Sequence, residues 1–128
     1  MGPTRGIAER LLAALERGDP GRIAETLATD AILHVPGRTG LSGPYQGREA
    51  ILGFLRRLAQ LSQGTFRFHG DRVLADGELA IVIGRVGWDR QARRQTVPAI
   101  LEVTIQREEV VQLRVFHDDQ PAVDQLCS

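Results

Sequence analysis

Lysine is absent from this sequence; all 16 basic residues are arginine. That excludes a Schiff-base lysine and the phosphate-gripping lysine of a Walker loop. The single cysteine, Cys127, excludes an intramolecular disulfide and any multi-cysteine metal cluster. The three histidines, His34, His69 and His117, never stand at the i, i+2 or i, i+4 spacing of common ligand pairs, so no metal is expected. A surplus of charge is missing as well: 16 acidic residues balance the 16 basic ones. A nucleic-acid partner would call for a basic excess and is not expected. No purely apolar stretch exceeds the five residues of Leu79 to Ile83, far short of the ~20 that span a membrane. The segment Ile7-Ala-Glu-Arg-Leu-Leu12 carries charges where a signal peptide needs an apolar run. A cytoplasmic protein without a membrane partner is the expectation.

What the chain does have is apolar material, 42% of 128 residues, enough for one domain spanning 1–128. Ala8, Leu11, Leu12 and Leu15 recur at helical spacing and predict a helix over 4–17. Asp19-Pro20 reads as the cap and first residue of a second helix running to about Thr29. Ala31 to Val35 reads as a strand closed by Pro36. The segment 36–47, with four glycines and two prolines, predicts irregular structure. A third helix follows over 48–63, its apolar stripe formed by Ile51, Leu52, Leu55, Leu58 and Ala59. Leu11, Leu15, Leu55 and Leu58 are the expected helical contributions to the core.

Beyond Gly64 the period changes to two, and four strands fit at 65–74, 79–88, 95–106 and 110–117. A single helical turn capped by Asp118 or Asp119 closes the chain. Helices first and meandering strands last predict an α+β fold, with helices on one face of a curved, mainly antiparallel sheet and an apolar pocket between them.

No nucleophile elbow, glycine-rich phosphate loop or Cys–His pair is present, so no cofactor is expected. The cluster His117-Asp118-Asp119, where the last strand ends, is the best chemical candidate. A histidine beside carboxylates suits a general base whose pKa the negative charge raises. The competing reading makes both aspartates helix caps. His34 fits either a pocket base or a residue on the sheet's outer face at a subunit contact. His69, alternating with Phe66 and Phe68, falls on the face opposite to them. Trp88, two residues beyond Val86, fits either a cavity wall, with Gly84 leaving space beside it, or core filler.

Three segments together, Leu11-Leu-Ala-Ala-Leu-Glu-Arg-Gly-Asp-Pro20, Leu27-Ala-Thr-Asp-Ala-Ile-Leu-His-Val-Pro-Gly37 and Tyr45-Gln-Gly-Arg-Glu-Ala-Ile51, resemble the SnoaL-like group of the nuclear transport factor 2-like superfamily. The likeness continues into Phe116-His-Asp-Asp-Gln-Pro-Ala-Val-Asp-Gln-Leu126. It implies a cone-shaped α+β roll with three N-terminal helices, an internal pocket and dimerisation through the outer face of the sheet. Where ketosteroid isomerases of this superfamily carry a tyrosine and two aspartates, this chain has Leu11, Val35 and Leu101. The last-strand carboxylate of the epoxide hydrolases falls at Val115. Neither chemistry is therefore implied.

SnoaL-type cyclases use a pocket aspartate with histidines to move a proton. By alternation with Leu113 and Val115, His117 faces inward, with Asp118 at the rim as its helper. Leu11, Val35, Leu55, Trp88, Leu101, Val103, Leu113 and Val115 then form an apolar lining, and Tyr45 is the one candidate hydroxyl donor. The expected partner is a hydrophobic small molecule, met by a homodimer. Three readings stay open: a cyclase- or isomerase-type enzyme, a non-catalytic binder of a hydrophobic metabolite, and a dimerisation or interaction module.

Overall fold

The change of period near Gly64 divides the folded chain in the same place. A computed structural model describes residues 3–127. Helix α1 (Pro3–Arg17) turns through Gly18 into α2 (Pro20–Thr26), where the Asp19 carboxylate accepts the Arg22 N–H at 3.2 Å as the N-cap. Strands β1 (Leu27–Val35) and β2 (Gly43–Gln46) precede α3 (Arg48–Leu61). Then come β3 (Arg67–Asp76), β4 (Leu79–Arg90), β5 (Arg93–Gln106), β6 (Glu109–His117) and α4 (Gln120–Cys127).

The strands form one sheet in the order β2-β1-β6-β5-β4-β3. Only the β1–β6 neighbours run parallel; the other pairs are antiparallel. The helices pack on the curved sheet, giving the α+β cone. α1 lies against β3, and α3 crosses over β1. The inward positions of β4 to β6 supply the sheet's half of the core: Ala80, Val82, Val86, Leu101, Val103, Val110 and Leu113 are all buried.

Four local expectations are corrected. The second helix stops at Thr26 rather than Thr29, because Leu27 leaves the helical region and pairs with Val110 of β6. Tertiary pairing overrides the local helical pattern there. The glycine- and proline-rich segment contains β2, an edge strand whose Pro44 sits opposite His34. An edge position tolerates proline because its missing N–H has no ladder partner to lose. The β4–β5 hairpin closes through only Gln91 and Ala92, both left-handed (φ 53° and 61°), so both strands run longer than the pattern suggests. Finally, the terminal segment is a helix of eight residues, not a single turn.

On the outer face, the register aligns Ile83, Ile100 and Phe116 across three strands. All three are exposed, Phe116 by 51%. Glu102 and Arg114 form the neighbouring pair, 3.8 Å apart. His34 lies in line with Arg114, between inward-facing Leu33 and Val35, and so belongs to this outer face.

Candidate active site

Between helices and sheet lies a cavity of about 100 Å³. Its helical wall includes Leu11, Leu15, Ile51, Phe54, Leu55 and Leu58; its sheet wall includes Leu33, Val35, Val86, Leu101, Leu113 and Val115. The polar side chains are gathered at one end: Thr39, His117, Gln120, Asp124 and Cys127.

His117 is the last residue of β6, and α4 begins three residues later. Helical spacing puts Gln120, Asp124 and Cys127 on one face of α4, beside the buried Val123, and turns that face to the cavity. His117 Nδ1 lies 2.9 Å from Gln120 Oε1, and Gln120 Nε2 donates to Asp124 Oδ1 at 2.8 Å. The proton positions follow from what each group can do. An ionised carboxylate only accepts, so Gln120 must turn its NH₂ toward Asp124 and its oxygen toward His117. That oxygen also only accepts, so the hydrogen of the neutral imidazole sits on Nδ1. Nε2 is then the unprotonated nitrogen.

Burial is the main influence on His117 and pulls its pKa below the ordinary 6.5, while the Gln120 bond and the Asp124 charge offset part of that effect. The expectation of a raised pKa is thus reversed. Asp118 and Asp119 are exposed, and the carboxylate that acts on the ring is Asp124 rather than either of them. Burial also pushes the Cys127 thiol up, assisted by Asp124, so Cys127 stays protonated at neutral pH.

Of the residues singled out in the sequence, Leu11, Val35, Leu55, Leu101, Leu113, Val115 and His117 line the cavity together. Leu15 and Leu55, expected in the core, are only partly buried, and both face this space. The others lie elsewhere. Asp118 is exposed, and its N–H donates to the Pro98 carbonyl at 2.9 Å. Asp119 caps α4 through the Ala122 N–H at 3.2 Å, as the competing reading had it. Val103 is buried in the core between Leu113 of β6 and Ala80 of β4. Trp88 is core filler, 2% exposed and stacked on Phe66 with centroids 6.1 Å apart. Gly84 leaves no space for a ligand, since a Cβ there would overlap the His69 carbonyl of β3.

Tyr45 packs against Phe54 at 4.8 Å and donates its hydroxyl proton to the Leu41 carbonyl at 2.7 Å. It braces the loop rather than facing the cavity. Thr39 supplies the hydroxyl on the wall, held against Ser42 Oγ at 3.2 Å. Gln120, Asp124 and Cys127 escaped the sequence reading because one helical turn cannot put residues seven apart on a common face. Among the described residues, no three His, Cys, Asp or Glu side chains are grouped as metal ligands. No helix among them is long and apolar enough to cross a membrane.

Residues 8–113 match the profile of the SnoaL-like domain. The chain belongs to the SnoaL-like family. An uncharacterised protein of Mycobacterium tuberculosis is 26% identical to this SnoaL-like chain over 120 residues, 92% of this chain and 91% of the relative. A protein of unknown function with a cystatin-like fold from Xanthomonas campestris superposes with a TM-score of 0.91 at 23% identity, covering 98% of each chain. TerC, crystallised with polyporic acid, does so with a TM-score of 0.85 at 18% identity, again over 98% of each chain. The same architecture is found in an NTF2-like protein of unknown function from Burkholderia pseudomallei, with a TM-score of 0.84 at 18% identity.

Proposed function

We propose that this SnoaL-like protein is a cofactor-independent enzyme of cyclase or isomerase type, transferring a proton on a hydrophobic substrate. The observation that carries the reading is the chain His117–Gln120–Asp124 at one end of an otherwise apolar cavity. Neutral His117 takes a proton from an acidic C–H of the substrate on Nε2. The electron pair of that bond moves into an adjacent carbonyl and leaves an enolate. The imidazolium then donates from Nδ1 to Gln120, whose amide is polarised by Asp124, so the new positive charge meets a negative one through two hydrogen bonds. Return of the proton at another carbon isomerises the substrate; attack of the enolate carbon on a second carbonyl closes a ring, and the alkoxide so formed takes the proton back from His117. The apolar walls exclude water and favour a substrate that is largely hydrocarbon.

The test is exchange of solvent deuterium into the activated methylene of a hydrophobic β-keto ester, followed by mass spectrometry. The wild-type protein should accelerate exchange, and His117→Ala should slow it by about 10²–10⁴-fold, the span of general base catalysis. Exchange unaffected by His117→Ala would refute the assignment.

One observation favours the second reading, a non-catalytic binder: the Tyr45 hydroxyl is spent on Leu41 and is not aimed at a developing oxyanion. A binder would hold the β-keto ester and exchange nothing. We also propose that the Ile83–Ile100–Phe116 row pairs with a second copy of the chain, because an exposed apolar row edged by the Glu102–Arg114 pair suits an isologous contact.

A further inference from the structure

A second cavity, of about 140 Å³, lies behind the first. The two share Leu15, Ile23, Leu55, Leu58, Phe66 and Phe68, so only a partition of leucine, isoleucine and phenylalanine side chains separates them. The second space opens where the end of α1 meets α2 and α3, and its only charged lining residues are Arg56 and Arg67.

Neither guanidinium group has a carboxylate partner among the described residues. Arg67 lies across Gly18, where a Cβ would stand 2.6 Å from its guanidinium carbon, and its Nη1 donates only to the Gly64 and Phe66 carbonyls at 3.0 and 2.7 Å. Arg56, on the exposed side of α3, makes no hydrogen bond or ion pair among the described residues. The nearby acids are engaged elsewhere. Glu16 accepts the Gly70 N–H at 3.1 Å, and Asp19 caps α2 and pairs with Arg22. Across the partition, in the first cavity, the one carboxylate is Asp124. With the partition opened, the two cavities would form an apolar passage with cations at one mouth and an anion at the other.

We propose that this passage takes an elongated amphiphile, a carboxylate on a hydrocarbon chain, with its head at Arg56 and Arg67 and its tail directed toward His117. Arginine holds a carboxylate through paired, charge-assisted hydrogen bonds. The reverse orientation would bring two carboxylates together at Asp124. Leu15, Leu55 and Phe66 of the partition are partly buried rather than locked in the core, and rotamer changes among them would admit the tail. The proposal rests on the shape and charge of the two cavities and holds whether or not His117 turns the ligand over.

Trp88 reports on binding directly, being the only tryptophan and stacked on Phe66 of the partition. Its fluorescence is followed while the protein is titrated with decanoate or, separately, 1-decanol, at pH 7.5. The wild-type protein should respond saturably to both and bind decanoate at least about tenfold more tightly, the contribution of one charge-assisted contact. Arg56→Gln with Arg67→Gln should abolish that preference and leave decanol binding unchanged. Arg56→Gln alone, at a position with no structural bond to lose, should lower the preference at least about threefold and decides the matter if the double variant does not fold. His117→Ala should leave the preference intact, which separates this proposal from the catalytic one. Equal affinities in the wild-type protein, silence of Trp88 toward both probes, a preference that survives Arg56→Gln unchanged, or one lost in His117→Ala would each overturn it.

Discussion

Gly37 lies directly against the carboxylate of Asp124. A Cβ at Gly37 would overlap Asp124 Oδ1 and stand 2.8 Å from Gln120 Nε2, and the residue's φ of +104° disfavours any other side chain. The loop after β1 thus reaches across to α4 and rests on the pair that orients His117. Gly37→Ala should displace that pair and also strain the backbone by about 1–3 kcal/mol. The expected outcome is a lower melting temperature together with a changed His117 titration in NMR spectra. Loss of stability without any change at His117 would mean the loop does not bear on the Gln120–Asp124 pair.

The depressed pKa of His117 sets the sign of two pH effects. Its folded pKa lies below its unfolded value near 6.5, so the unfolded chain binds the proton more readily. This group's contribution to stability is complete above pH 6.5 and is lost as the pH falls through the window between the two values. Denaturant titrations of wild type and His117→Gln at several pH values measure the difference, which should shrink or reverse toward acid. Deuterium exchange should follow the same proton, level at neutral pH and falling once the pH drops below 6.5. Exchange that falls only as pH rises above neutrality would contradict a neutral base.

Leu27 and Leu55 should respond unequally to truncation. Leu27 is 1% exposed and surrounded by core, whereas Leu55 is partly buried on the partition between the two cavities. Leu27→Ala should cost about 2–5 kcal/mol. Leu55→Ala enlarges a space that already exists and should cost nearer about 1 kcal/mol. Equal losses in urea unfolding would show Leu55 to be part of the packed core.

Phe116, at the end of the apolar row on the outer face, tests self-association. The wild-type chain should sediment as a dimer at micromolar concentration, and Phe116→Asp should shift it to 14.1 kDa monomers with unchanged secondary structure. A wild-type monomer would remove the proposed contact.

The sequence made the architecture legible because its two periods are strong. Leu11, Leu12 and Leu15 mark α1, and the alternation around Val82, Leu101 and Leu113 marks the strands facing it. What it hid depends on distant neighbours. Leu27 looks helical until Val110 is beside it, and Pro44 looks irregular until β1 provides a partner. The site was half legible for a similar reason. Alternation places His117 correctly, but proximity in sequence pointed to Asp118, and a strand leaving the sheet turns that residue outward. Asp124, seven residues on, returns to the ring only because α4 continues for two turns. The direction of the pKa shift was hidden too, since burial is a property of the whole cavity and not of adjacent residues.

The state of the imidazole itself is the most direct test of the proposed chemistry. Two-bond proton–nitrogen correlation spectra of ¹⁵N-histidine-labelled protein distinguish the protonated from the free ring nitrogen. At pH 7 they should show His117 neutral, with the hydrogen on Nδ1 and Nε2 unprotonated, and a titration midpoint below 6.5. In Asp124→Asn the side chain at 124 can donate as well as accept, Gln120 is free to reverse, and the Nε2–H tautomer should appear. A wild-type His117 carrying its hydrogen on Nε2, or charged at pH 7, would contradict the assignment of Nε2 as the base.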